Sequence, residues 1–158
     1  MRISIIDNDI LIYINNNLIN IDFEDLDTTK EYFKELFLKI KDKVEINGFY
    51  FVNVYKDDLY GIVIELTKEE MDYLDYYTDE VDMHITLNEN TFLYEIEDIF
   101  LNKEIIKNSK IIYYNKKIYL KLKNDIDENI KGYLYEFSNL VYKDTNNILN
   151  YGKELYYI

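Results

Sequence analysis

The chain contains no cysteine, no proline and no tryptophan, one histidine and only four glycines in 158 residues. Without cysteine there can be no disulfide, no thiol nucleophile and no thiolate metal ligand. Without proline, and with no Ser/Gly-rich or low-complexity stretch, no linker is marked by composition, so boundaries have to come from hydrophobic periodicity. The glycines (Gly48, Gly61, Gly132 and Gly152) are scattered and form neither a Walker loop nor the G-x-G-x-x-G turn that cradles phosphates. No apolar run reaches 18 residues, which predicts no membrane span. Asp7 and Asp9 interrupt the N-terminal MRISIIDNDILIYI, which argues against a signal-peptide core and makes the cytoplasm the expected compartment.

The catalytic inventory is equally sparse. His84, the single histidine, lies in the strand-like VDMHITL, where a packed or surface residue is the ordinary reading. Asp125, Asp127 and Asn129 with Glu136 imitate four positions of a calcium loop. The position that needs a sharply turning glycine is Ile130, however, and the apolar spacing of Ile130, Leu134 and Phe137 asks for helix. Acids at a helix N-terminus are the better reading. No catalytic residue, no metal ligand and no cofactor is therefore expected, and the chain reads as a binding protein rather than an enzyme.

Hydrophobic residues make up 48% of the chain, enough to build a core. Asp and Glu number 31 against 18 Lys and Arg, a formal net charge of −13. That field repels phosphate backbones, so no nucleic-acid partner is expected, and basic proteins or proteins that themselves bind nucleic acid are favoured. An inhibitor or nucleic-acid mimic that covers a basic target is one form of that idea. The eighteen Tyr and eight Phe supply contact area of the kind enriched at protein interfaces. Asp72, Tyr73, Asp75, Tyr76 and Tyr77 would form an acidic–aromatic strip, although amphipathic packing explains the same spacing.

Periodicity predicts α/β (α+β) architecture built of two small strand–helix–hairpin–helix units, residues 1–78 and 79–158, each a split βαββ arrangement with antiparallel or mixed sheets and helices on one face. In the first, residues 2–14 alternate around an Asp7-Asn8-Asp9 turn. Asp27, Thr28 and Thr29 then offer caps to a helix whose stripe is Tyr32, Phe33, Leu36, Phe37 and Ile40, ending near Gly48. FYFVNVY and LYGIVIEL form a hairpin, and TKEEMDYLDYY a short helix after the Thr67–Glu70 capping box. In the second, VDMHITL (81–87) is a strand and FLYEIEDIFL (92–101) is compatible with a helix. IIYY and IYLKLK form a hairpin in which Lys116 and Lys117 would blunt an open edge. A helix from Asp125 or Asp127 carries Ile130, Leu134, Phe137 and Val141, and NILNYGKELYYI closes as turn and edge strand.

Several strings in this layout resemble the MecA-type adaptors of low-GC Gram-positive bacteria, which deliver client proteins to the Clp protease system. EYFKELFLKIKDKV followed by GFYFVNVYKDDLYGIVIELTK is similar to that family's N-terminal helix–hairpin unit. FLYEIEDIF, IIYYNKKIYLKLK, LYEF and NYGKELYYI resemble segments of its C-terminal unit. The resemblance implies client capture by the first unit and docking of the second on the AAA+ unfoldase ClpC. It implies partner-binding positions at Glu97, Asp98, Tyr135, Glu136, Asn150, Tyr151 and Lys153. The chain departs from the pattern at Asn150, where the family has an acid, in a linker compressed to residues 67–80, and in having little or no room for helix after the last strand.

Overall fold

The computed structural model describes residues 1–7, 9–21, 23–44, 49–68, 82–97, 103–124 and 126–156. The chain forms two compact units: Met1–Lys56 with Gly61–Asn88, and Glu89–Ile158 with the tetrapeptide Asp57–Tyr60.

In the first unit β1 (Arg2–Ile6) and β2 (Asp9–Asn15) form an antiparallel hairpin. Asp7 leaves β1 at a φ of 54°, a left-handed conformation that Asp tolerates better than most residues. Then come α1 (Leu26–Ile40), β3 (Phe49–Asp57), β4 (Gly61–Lys68) and β5 (Asp82–Glu89). The sheet order is β1-β2-β4-β3-β5. Strand β2 pairs antiparallel with β4, Ile12 opposite Ile64 and Ile10 opposite Leu66. One apolar row per strand thereby meets Phe33, Leu36, Phe37 and Ile40 of α1 in a single core.

Helix α1 starts earlier than its sequence caps suggest. Asp25 is the N-cap: its carboxylate accepts from the Thr28 N–H at 3.2 Å and from the Thr28 hydroxyl. That hydroxyl bond, reinforced by the N–H, holds the Asp25 carboxyl below the usual range. Thr29, an expected cap, is instead fully buried and donates back to the Asp25 carbonyl at 2.7 Å. The predicted stripe otherwise holds, with Tyr32 at its margin, edge-on to Phe23. The helix ends at Ile40, and residues 45–48 lie outside the described ones. Of the helix expected over TKEEMDYLDYY, residues 69–77 with the acidic–aromatic strip from Asp72 to Tyr77 also lie outside them, while Thr67, its expected cap, instead continues β4 opposite Asp9.

The second unit runs β6 (Leu93–Ile96), α2 (Lys103–Lys107), β7 (Ser109–Tyr114), β8 (Lys117–Leu122), α3 (Glu128–Phe137), β9 (Ser138–Val141), α4 (Thr145–Tyr151) and β10 (Lys153–Leu155). Its sheet order is β10-β7-β8-β6-β9. The segment read as helical over 92–101 opens with a strand. β6 lies between β8 and β9, so Leu93, Tyr94 and Ile96 are all buried, and a strand covered on both faces loses the alternation that would mark it.

The helix expected to reach Val141 stops at Phe137. Ser138 turns extended, its hydroxyl donates to the Leu134 carbonyl, and the following residues pair with β6, Val141 opposite Leu93. The start of NILNYGKELYYI, read as a turn, belongs instead to α4, whose Ile148 packs with Leu93, Ile112 and Tyr119. Helix α3, by contrast, meets Tyr94, which alternation puts on the other face of the sheet. Lys117 does not protect an edge either: β8 is the middle strand, and Lys117 is ion-paired with Glu95 at 2.8 Å.

The split βαββ arrangement occurs twice. In β2–α1–β3–β4 and in β6–α2–β7–β8 the strand before the helix pairs with the second strand of the following hairpin. Each sheet then gains one strand on either side: β1 and β5 in the first, β9 and β10 in the second. Strand β5 therefore belongs to the first unit, beside β3, and the division falls after Asn88 rather than at 78/79.

The β3–β4 turn supplies part of the second core. Tyr60 is 2% exposed, stacked on Phe92 at 6.1 Å and edge-on to Tyr94 at 5.4 Å, and its hydroxyl accepts from the Leu122 N–H at 3.2 Å. Asp57 is buried and accepts from the N–H groups of Leu59 (2.8 Å) and Phe92 (2.7 Å). Burial pushes the Asp57 carboxyl above its usual range, although the N–H groups of Phe92, Leu59 and Tyr60 pull the other way. The folded chain therefore takes up that proton more readily than the unfolded chain does. Its contribution to stability is fully present below the unfolded value of 3.8 and is lost as pH rises through the folded value. Urea unfolding of wild type and Asp57→Asn at stepped pH should show the difference moving in favour of wild type as pH falls through the region above 3.8. A difference that stays flat or moves the other way would contradict this.

Candidate functional site

Helix α3 begins at Asp127, whose carboxylate accepts from the Asn129 N–H at 2.8 Å and whose carbonyl accepts from Ile130 and Lys131. Glu128 in the first turn complements the helix dipole. The helix buries Lys131 and Leu134 and half-buries Tyr135, whose ring stands edge-on to Tyr94 at 5.9 Å. Helical spacing then turns Tyr133, Glu136 and Phe137 to the opposite side. Tyr133 and Phe137, four residues apart, bring their ring centroids to 4.5 Å while remaining 39% and 58% exposed. Glu136 is exposed on the same helix. Ile96 pairs with Ser138, the residue that ends α3, which sets exposed Glu97 beside that end. Asp98 lies outside the described residues.

Four groups thus collect at the C-terminal end of α3: two exposed rings and two carboxylates. Such rings gain little from the fold of their own chain, so their apolar area is available to a partner. The sequence reading took Phe137 for core and did not single out Tyr133. The signal was present: 133 and 137 form a second stripe, on the side away from Leu134.

The other expected positions lie elsewhere. Asn150 and Tyr151 end α4, with Tyr151 76% exposed, and Lys153 opens β10 opposite Tyr113. Gly152 joins the two because there is no room for a side chain: a Cβ would run into Ile112 Cγ2 and the Ile148 carbonyl. Strands β10 and β9 are opposite edges of the sheet, about 19 Å apart at roughly 4.8 Å per strand step. The six described positions therefore form two groups rather than one patch.

Among the described residues the calcium-loop positions are not brought together. Asp127 is engaged as a cap, Asp125 lies outside the described residues, and Glu136 stands some nine helical residues away, about 13 Å of rise. His84 is exposed on β5 with its ring edge-on to Phe51 at 6.2 Å. Among the described residues no group of three or more His, Asp or Glu side chains could hold a metal, and no helix is long and apolar enough to cross a membrane. No family model matches this chain, and neither does any curated protein or solved structure.

Proposed function

We propose that the protein is a non-catalytic, protein-binding adaptor that docks through the C-terminal end of α3. The observation that carries this is the exposed Tyr133–Phe137 ring pair with Glu136 and Glu97 beside it. Aromatic anchors rimmed by charge are the usual composition of an interface hot spot, and the partner they suit offers an apolar pocket bordered by Lys or Arg. By the resemblance of LYEF and its neighbours to the MecA-type adaptors, that partner is a Clp-family AAA+ unfoldase in the cytoplasm, with client proteins held by the first unit.

The test uses the full chain. Replacing both Tyr133 and Phe137 with alanine should leave unfolding stability within about 0.5 kcal/mol, as surface changes do. The same pair should weaken binding to purified ClpC at least about tenfold, the loss expected for a hot spot worth more than 1.4 kcal/mol. Unchanged affinity would remove α3 as the docking surface. Binding that collapses with added salt but ignores the ring substitutions would favour the acidic inhibitor instead.

A further inference from the structure

The second unit carries a basic cleft in an otherwise acidic chain. Between α2, β7 and β10 lies a cleft of about 450 Å³ lined by Lys103, Lys107, Lys110, Lys123, Ser109 and Tyr156, with Ile111 and Leu155 as apolar wall and Glu154 as the acidic residue of the lining. Lys103 and Lys107 stand on successive turns of α2, a like-charge i,i+4 spacing that costs the helix a few tenths of a kcal/mol unless countercharge is supplied. Lys123 is fixed beside the end of that helix, since its N–H donates to the Asn108 carbonyl at 2.9 Å. Lys110 pairs with Glu154 at 3.5 Å, whereas no carboxylate among the described residues comes within ion-pair distance of Lys103, Lys107 or Lys123.

A second, independent feature points into the same place. Ser109 lines the cleft, is only 4% exposed, and its Oγ has no hydrogen-bond partner. A buried hydroxyl left unpaired costs about 1–3 kcal/mol, so it is the kind of group that a bound acceptor would satisfy.

We propose that this cleft binds a small organic phosphate. Its phosphoryl oxygens accept from the ammonium groups of Lys103, Lys107 and Lys123 and from the Ser109 hydroxyl, and its organic part lies against Ile111, Leu155 and the Tyr156 ring. Lysine serves phosphate as a mobile point charge, and the volume lies in the range of small-molecule sites. The net charge of −13 decides between ligand sizes. A nucleic acid or acidic protein extends beyond the lysines and meets the repulsive field of the whole chain. A compact anion, within a Debye length of about 8 Å at physiological salt, sees mainly the lysines.

The experiment titrates phenyl phosphate into the full chain at fixed ionic strength, by calorimetry and amide chemical shifts, with a heptaglutamate peptide as the competing arm. One saturable site is expected, with shifts at residues 103–111 and 123. Lys107→Ala and Lys123→Ala should each weaken it about tenfold, the loss of one charge-assisted hydrogen bond, while Lys116→Ala in the β7–β8 turn should leave it unchanged. The lysines are exposed, so these variants keep the fold. Ser109→Ala should weaken phenyl phosphate without lowering the stability of the unliganded chain, which a merely structural serine would not do. Non-saturable binding, equal affinity in the Lys107, Lys116 and Lys123 variants, or tighter binding of heptaglutamate would each overturn the proposal.

Discussion

Replacing Tyr60 with alanine is expected to destabilise the second unit by about 3–5 kcal/mol, the range for truncating a large buried aromatic residue. The ring is enclosed by Phe92 and Tyr94, and the Leu122 N–H would lose its acceptor as well. Set against a total stability of roughly 5–15 kcal/mol for an ordinary domain, that loss is a large fraction, and a unit of this size buries proportionately little. Hydrogen exchange locates the damage. Protection should fall in residues 93–96 and 117–122 and persist in β2 and β4. Tyr60→Phe keeps the ring and removes only the acceptor, so its cost should be about 1–3 kcal/mol. If the alanine variant unfolds like wild type, Tyr60 is not a core residue.

Gly61→Ala, one residue further on, should instead strike the first unit, by more than about 3 kcal/mol. Gly61 has a φ of 116°, a conformation that L side chains rarely adopt and that costs of order 1–3 kcal/mol. An added Cβ would also meet the Ile14 carbonyl and lie 2.6 Å from the Asn16 nitrogen. These are backbone atoms at the end of β2 and in the turn just after it, on either side of Asn15, the residue Gly61 pairs with, and they cannot yield without disturbing the β2–β4 ladder. The expected signature is lost exchange protection in β2 and β4, the reverse of the Tyr60 pattern. A melting temperature unchanged for Gly61→Ala would be falsifying.

Much of the first unit was legible because its elements are amphipathic in the simple sense. β2 alternates and α1 repeats at three and four residues, so one face of each declares itself. The second unit was harder for physical reasons that individual residues show. Leu93, Tyr94 and Ile96 are buried on both faces of an interior strand, which erases the period of two. Val141 kept helical register with Leu134 although Ser138 had already closed the helix. The α4 segment is too short, with Thr145 and Ile148 as its buried residues, for any stripe to stand out.

The candidate site was half-visible. LYEF drew attention to Glu136, but Phe137 was assigned to the core because a single stripe was assumed for α3. Tyr135, read as partner-binding, spends much of its ring on Tyr94. The lysine cleft was not foreseeable, because Lys123 and Tyr156 reach α2 only through the sheet order.

The discontinuous composition of the second unit has a consequence for biosynthesis. Tyr60 leaves the ribosome well before Phe92, Tyr94 and Leu122, the groups that bury it, while Gly61 next to it can settle against β2 at once. A growing chain therefore carries an apolar residue that its neighbours in sequence cannot shelter, and the second core has to condense around a turn made in advance. Any excised fragment that begins at Glu89 would lack that residue altogether, so the two units can be told apart in space but not cut apart in sequence.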